Sequence, residues 1–158
     1  MSSFISTLKQ SDIFYQFTPT QLELVANLCR DEVLSKGAMV FEENSSSKEL
    51  YIIASGKVNI LINSSAGKKG TVVAVLHRGQ SFGEVALVDE GLRSASASAG
   101  EKDTHLIVIS RDRLLMLCET YPQLGYRLMY NLSADLAMKI RNTDLRIRDQ
   151  VLYTPPEK

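Results

Sequence analysis

A small β-barrel or jelly roll flanked by helices is the fold class this sequence predicts, on three observations. Between Asp31 and Ser110 apolar residues recur with a period of two, in short runs separated by glycine or asparagine. Before and after that span the spacing becomes the three-to-four of helices. The composition, 44% hydrophobic and 23% charged over 158 residues, is that of an ordinary globular chain with material for one core. The expected organisation is one domain over 1–158, with N-terminal helices over 1–30, a β-roll over 31–110 and C-terminal helices over 111–150.

In chain order, Ser11 and Asp12 offer a cap for a short turn anchored by Ile13, Phe14 and Phe17. Thr18 as cap and Pro19 at a first helical position open a helix over 20–29, with Leu22, Val25, Ala26 and Cys29 on one face. Runs rich in Val, Ile and aromatics at Val33, 39–41, 50–54, 58–62, 71–76 and 106–109 read as strands. Turn residues fall between them at Gly37, 44–47, Gly56, 67–70 and Gly79. From Arg111 the helical spacing returns: Ser110 caps, Leu114, Leu115 and Leu117 are apolar, and Pro122 interrupts after Tyr121. A long helix over 123–150 follows. Its positions Leu128, Leu132, Leu136, Ile140, Thr143 and Ile147 approximate a coiled-coil stripe. About 28 residues rise about 42 Å, more than a small barrel needs, so a partner helix in a homodimer is expected to cover the remainder. Asp135 with Arg141 or Arg146 would set its register.

Formal net charge is zero, so no global field draws the chain to nucleic acid or to an anionic membrane. Two cysteines, Cys29 and Cys118, are too few for a disulfide framework and are expected as buried free thiols. With no signal-peptide pattern at the N-terminus and no apolar run of spanning length, a cytoplasmic location is expected. A metal-dependent barrel enzyme needs about three histidines and a carboxylate converging inside the barrel. This chain has two histidines, His77 and His105, each expected near solvent, and no nucleophile–base grouping. An iron–sulfur sensor would need about four cysteines. Binding without catalysis, and without a metal or cofactor, is the expected chemistry.

Residues 81–97, SFGEVALVDEGLRSASA, concentrate the candidate site. Phe82-Gly83-Glu84 ends a strand and turns it, and a residue without Cβ lets the backbone come close to a ligand. Glu84, Val85, Ala86 and Leu87 suffice for one helical turn, whose free N–H groups suit an anion. Arg93 returns from the loop around Gly91 with a guanidinium fork that fits a phosphate edge. Glu84 repels a phosphate but accepts from a hydroxyl, which points to a ligand carrying phosphate and ribose together.

The stretch resembles the phosphate-binding cassette of cyclic-nucleotide-binding domains, roughly FGE-x-A-L followed by R-[STA]-A. Phe82, Gly83, Glu84, Ala86 and Leu87 match the first string and Arg93, Ser94 and Ala95 the second, five residues on. Residues 50–58, LYIIASGKV, are similar to the family's LYxIxxGxV string, and Phe14 to Thr18 to its N-terminal F-x-x-(L/F)-(S/T) string. Gly37 and Gly79 fall where the family places turn glycines. Asn44 stands where the family usually has glycine, and asparagine tolerates the left-handed turn best among the alternatives. The resemblance covers about residues 12–148. It implies an antiparallel β-roll, jelly-roll-like, flanked by N-terminal helices and a long C-terminal helix.

Carried over residue by residue, the resemblance implies reversible binding of a cyclic purine nucleotide, cAMP in the first place and cGMP as the alternative. Arg93 would pair with the cyclic phosphate and Glu84 accept from the ribose 2′-hydroxyl. The backbone of Gly83, Glu84, Val85 and Ala86, with Ser94 and Ala95, would cradle the remaining oxygens in a cassette over 82–95. Thr143, from the long helix of either subunit, would reach the purine edge, although Asp144 stands where serine is frequent. Glu49 matches the acid that helps orient the phosphate arginine. The closest branch is the bacterial catabolite-activator type, which carries a helix-turn-helix after the long helix. Only residues 151–158 follow here, with Pro155 and Pro156 ending any helix, so an effector domain that signals to a partner protein rather than DNA is expected. The alternative is a structural or dimerisation module with a vestigial pocket. Intact Glu84 and Arg93 favour binding over that alternative.

Overall fold

The computed structural model describes residues 4–46, 48–63, 70–89 and 91–153, excepting the side chains of Ala86, Arg146, Gln150, Leu152 and Tyr153. Eight strands make two antiparallel four-stranded sheets. They are β1 (Cys29–Leu34), β2 (Met39–Phe41), β3 (Glu49–Ser55), β4 (Lys57–Ile62), β5 (Thr71–His77), β6 (Ser81–Phe82), β7 (Ser96–Ala99) and β8 (Thr104–Ser110). One sheet runs β1-β8-β3-β6 and the other β2-β7-β4-β5. Helices α1 (Phe4–Gln10), α2 (Pro19–Ala26), α3 (Arg111–Thr120) and α4 (Pro122–Tyr153) lie outside the roll. The expected antiparallel β-roll with flanking helices is the observed architecture.

The first sheet is the middle layer, and this explains why β3 and β8 read as unbroken apolar runs rather than as alternation. Leu50, Ile52, Ile107 and Ile109 face the helices, joining Phe14, Leu22, Leu114, Leu124, Leu128 and Leu132 in one core. Tyr51, Ile53, Leu106 and Val108 face the second sheet, with Val58, Phe82 and Ala97. Successive residues of a strand point to opposite faces, so each run serves two cores at once.

Local signals behave as their chemistry requires at several boundaries. Thr18 and Gln21 form a reciprocal capping box, with Oγ1 accepting from the Gln21 amide at 3.1 Å and Gln21 Oε1 from the Thr18 amide at 3.0 Å. Asn44 takes the left-handed conformation at φ +68°. Two differences are instructive. The helical face drawn through Cys29 stops at Ala26, and Cys29 opens β1, paired to Ile109; long-range pairing overrides the local period. The small-residue tract after Arg93 contains an unforeseen strand, β7, every residue of which is buried between β2 and β4. Alanine and serine carry little period-two contrast, so composition hides it. The turn expected at 67–69 and the proline stop at 155–156 lie outside the described residues.

Candidate ligand-binding site

The site grows from the end of β6, where Phe82 pairs with Tyr51 of β3. Gly83 then adopts φ +74° and caps a 3-10 turn over Glu84–Leu87. A Cβ at Gly83 would lie 2.8 Å from Nη1 of Arg93, so glycine is required by conformation and by space together. The group approaching that backbone is Arg93 itself.

Arg93 is only 7% exposed and is built into the wall. Its amide donates to the Ser45 carbonyl at 2.9 Å and its carbonyl accepts from the Asn44 amide at 2.8 Å, so the left-handed Asn44 turn fixes the arginine backbone. Its guanidinium donates from Nη2 to the Glu49 carbonyl at 2.6 Å and from Nη1 to the Gly83 carbonyl at 3.2 Å. It lies over the Phe41 ring, 4.2 Å from the centroid, above an aromatic group in which Tyr51 and Phe82 stack at 5.0 Å. Burial works against its charge and lowers its pKa, opposed by Tyr51, Glu49 and Glu84. A guanidinium stays protonated under that pressure. Its buried Nε has no partner among the described residues, and an unmet buried donor costs about 1–3 kcal/mol.

The carboxylate of Glu49 does not orient Arg93. Arg30 of β1 takes both carboxylate oxygens at 3.0 Å, and the Tyr51 hydroxyl donates to one at 3.3 Å. The main-chain carbonyl of Glu49 does the positioning instead. Arg30 reaches Glu49 from β1, on the far side of β8, and also pairs with Glu32 at 3.4 Å.

Arg93 lines a cavity of about 340 Å³ together with Phe82, Gly83, Glu84, Val85, Ser94 and Ala95. Ile60, Leu76 and Phe41 supply its apolar wall. The structure thus gathers seven of the nine candidate residues around one space. Ala86 sits in the same turn, and its side chain is outside the described atoms. Thr143 is not gathered. It is exposed on α4, and its Oγ1 donates to the Lys139 carbonyl at 2.9 Å.

Lys139 reaches the cavity from α4 instead, and nothing in the sequence reading singled it out. Its Nζ pairs with Oε1 of Glu84 and, at 2.9 Å, with Oδ2 of Asp135 one turn earlier on its own helix. The four-residue spacing from Asp135 to Lys139 was the available signal. Glu84 is 4% exposed, and burial raises its pKa against the pull of Lys139. Burial works the other way on Lys139, but Glu84 and Asp135 outweigh it and raise that pKa. The cavity therefore presents a fixed guanidinium on one wall and a desolvated, lysine-paired carboxylate on another. Together they can grip a ligand that combines an anion with a hydroxyl.

The cysteine thiols are free and half-buried, and burial with Asp31 nearby pushes Cys29 up to about 12. No group of three or more potential metal ligands occurs among the described residues. No helix among them is long and apolar enough to cross a membrane.

A family model described as Cyclic nucleotide-binding domain matches residues 31–121. The chain is 34% identical over 140 residues to the Cyclic AMP receptor protein of Thermus thermophilus, covering 89% of this chain and 62% of that protein. It is 25% identical over 117 residues to cGMP-dependent protein kinase 2 of Homo sapiens, covering 74% of this chain and 15% of that one. The crystal structure of Thermus thermophilus Catabolite Activator Protein is similar with TM-score 0.75 and 33% identity, covering 87% of this chain and 62% of that chain. This chain thus spans less than two thirds of the length of these relatives. The matched segment contains the Gly83 turn, Glu84 and Arg93 in one piece, and the chain belongs to the cyclic-nucleotide-binding domain family.

Proposed function

We propose that this domain binds a cyclic purine nucleotide, cAMP in preference to cGMP, and reports occupancy to a partner protein through movement of α4. The observation that carries the reading is Arg93. It is a buried guanidinium, pre-set by two main-chain carbonyls and Phe41, with an unmet Nε donor and a buried carboxylate across the same cavity. The cyclic phosphate would meet Arg93 and the amides of the Gly83–Ala86 turn, and the ribose hydroxyl would meet Glu84. Ser94 and Ala95 would close the phosphate side. Binding is reversible and non-covalent; the domain is not an enzyme and takes no cofactor. Similarity at 34% identity to a protein named for cyclic AMP supports that nucleotide. The weaker similarity to a kinase named for cyclic GMP keeps it as the competitor.

We also propose a homodimer through the second half of α4, where Ile140, Ile147 and Val151 are more than half exposed. A cytoplasmic location accords with the free thiols. The formal net charge of zero favours a protein partner over nucleic acid.

Calorimetric titration of ligand-stripped protein with cAMP and with cGMP tests the reading. Micromolar or tighter binding, abolished by Arg93→Ala, is the expected result. No heat and no thermal shift at millimolar nucleotide would turn the pocket into a vestige. The exposed apolar face of α4 would then support the second reading, a dimerisation module.

A further inference from the structure

The residue least expected at this site is Lys139, because a ligand's ribose hydroxyl and the Lys139 ammonium draw on the same carboxylate. Glu84 Oε1 is already paired with Nζ and Glu84 is almost wholly buried, so an entering hydroxyl competes with the ammonium for the charge of one carboxylate. The lysine side chain also lines the cavity, so its stem stands in space a nucleotide would enter. Lys139 belongs to α4 beyond Leu136, the last position of the helix stripe that packs against the core. The contact therefore joins the cassette to the part of the helix that the core does not hold.

Asp135 completes the device. It holds the same Nζ from the preceding turn of the same helix. When the Glu84 contact breaks, the ammonium keeps one carboxylate and gains water, for which a half-exposed lysine is well placed. The pair can thus open without stranding a charge on the helix side. Glu84, on the roll side, would be left buried and in need of a donor, which a ribose hydroxyl supplies.

We propose that Lys139 is an autoinhibitory latch: its bond to Glu84 holds the second half of α4 against the cassette, and a bound nucleotide's hydroxyl replaces it and frees the helix. This rests on the binding reading above and names its regulation. A ligand can shift a helix equilibrium only through differential affinity for its two positions, and competition for one carboxylate supplies that difference.

The test is Lys139→Met, which keeps the length and apolar stem and removes the ammonium. Calorimetry with cAMP and cGMP is combined with amide hydrogen exchange over 136–150. A lysine that merely helped hold the phosphate would give a variant that binds more weakly. A latch gives the opposite sign: nucleotide affinity should tighten about three- to tenfold, because the contact no longer has to be broken. Exchange over 136–150 should rise in the wild type on saturation and already be high in Lys139→Met without nucleotide. Lys139→Arg, which retains the cation, should bind no tighter than wild type. A wild type that is silent while Lys139→Met binds would show the latch in its strongest form. Silence in both would overturn the binding reading and the latch with it. Binding by the wild type with unchanged or weakened affinity in Lys139→Met would overturn the latch alone.

Discussion

The two halves of α4 have similar apolar content and opposite fates. Over 122–132, Leu124, Leu128 and Leu132 are at most 1% exposed, and the buried Asn131 donates to the carbonyls of Ile13 and Tyr15 at 3.1 and 2.8 Å. Gly125 lies so close to α3 that a Cβ would be 2.9 Å from Cys118. Over 138–153, Met138, Ile140, Ile147 and Val151 are 54–72% exposed. A helix of 32 residues rises about 48 Å, and the roll covers only its beginning. The contrast teaches that one continuous helix is fixed at its N-terminal end and available at the other, with Lys139 at the crossing.

The contrast breaks most visibly in stability. Leu128→Ala leaves a cavity in the main core and should lower unfolding free energy by about 2–5 kcal/mol in urea denaturation. Ile147→Ala should change it by less than about 0.5 kcal/mol at protein concentrations where the chain is monomeric. Equal losses at both positions would remove the distinction between the halves. Binding should be hurt next. Arg93→Ala deletes a charge-assisted bond of about 1.5–3 kcal/mol, so cyclic-nucleotide affinity should fall at least about tenfold with the fold intact by circular dichroism. Affinity within error of wild type would take Arg93 out of the site.

A smaller effect should follow pH. Burial raises the Glu84 carboxyl above its ordinary value, so the folded protein holds that proton to higher pH than the unfolded chain. Its contribution to stability is then full below the unfolded carboxylate value and is lost as pH rises through the raised folded value. Glu84→Gln removes that loss, so the variant should gain on wild type as pH rises from the ordinary carboxylate value through the raised folded one. A gap between the two denaturation curves that does not vary with pH would contradict it. The smallest effect on the monomer belongs to Ile147→Glu, which should leave thermal unfolding of the monomer nearly unchanged while abolishing self-association in sedimentation. A dimer that survives it uses another surface.

These residues also mark how far the sequence could be read. The cassette was legible because its chemistry is local: a glycine, an acid and an arginine sit within eleven residues, and the turn that joins them needs no distant partner to declare itself. The roll was legible wherever Val, Ile and aromatics alternate, and it was lost at β7, where small residues fit a crowded centre without a periodic signature. The α4 stripe was legible as a stripe, but its division at Leu136 depends on where the roll ends, which no helical period encodes. The partner of Glu49 and the contact of Lys139 were out of reach for the same reason. Arg30 and Glu49 meet across 19 residues, and Glu84 and Lys139 across 55. Charges paired over such distances are set by topology.

The aromatic platform beneath Arg93 has an optical consequence. The chain contains no tryptophan, and Tyr51 is buried against Phe82 with its ring centroid 5.8 Å from the guanidinium carbon. Tyr15, Tyr121, Tyr126 and Tyr130 are exposed. Replacing Phe41 by tryptophan would therefore install a single indole directly under the guanidinium, 4.2 Å from it in the present ring's place. Its emission would report the electrostatics of one arginine in a background free of competing indoles, turning the binding wall into its own indicator.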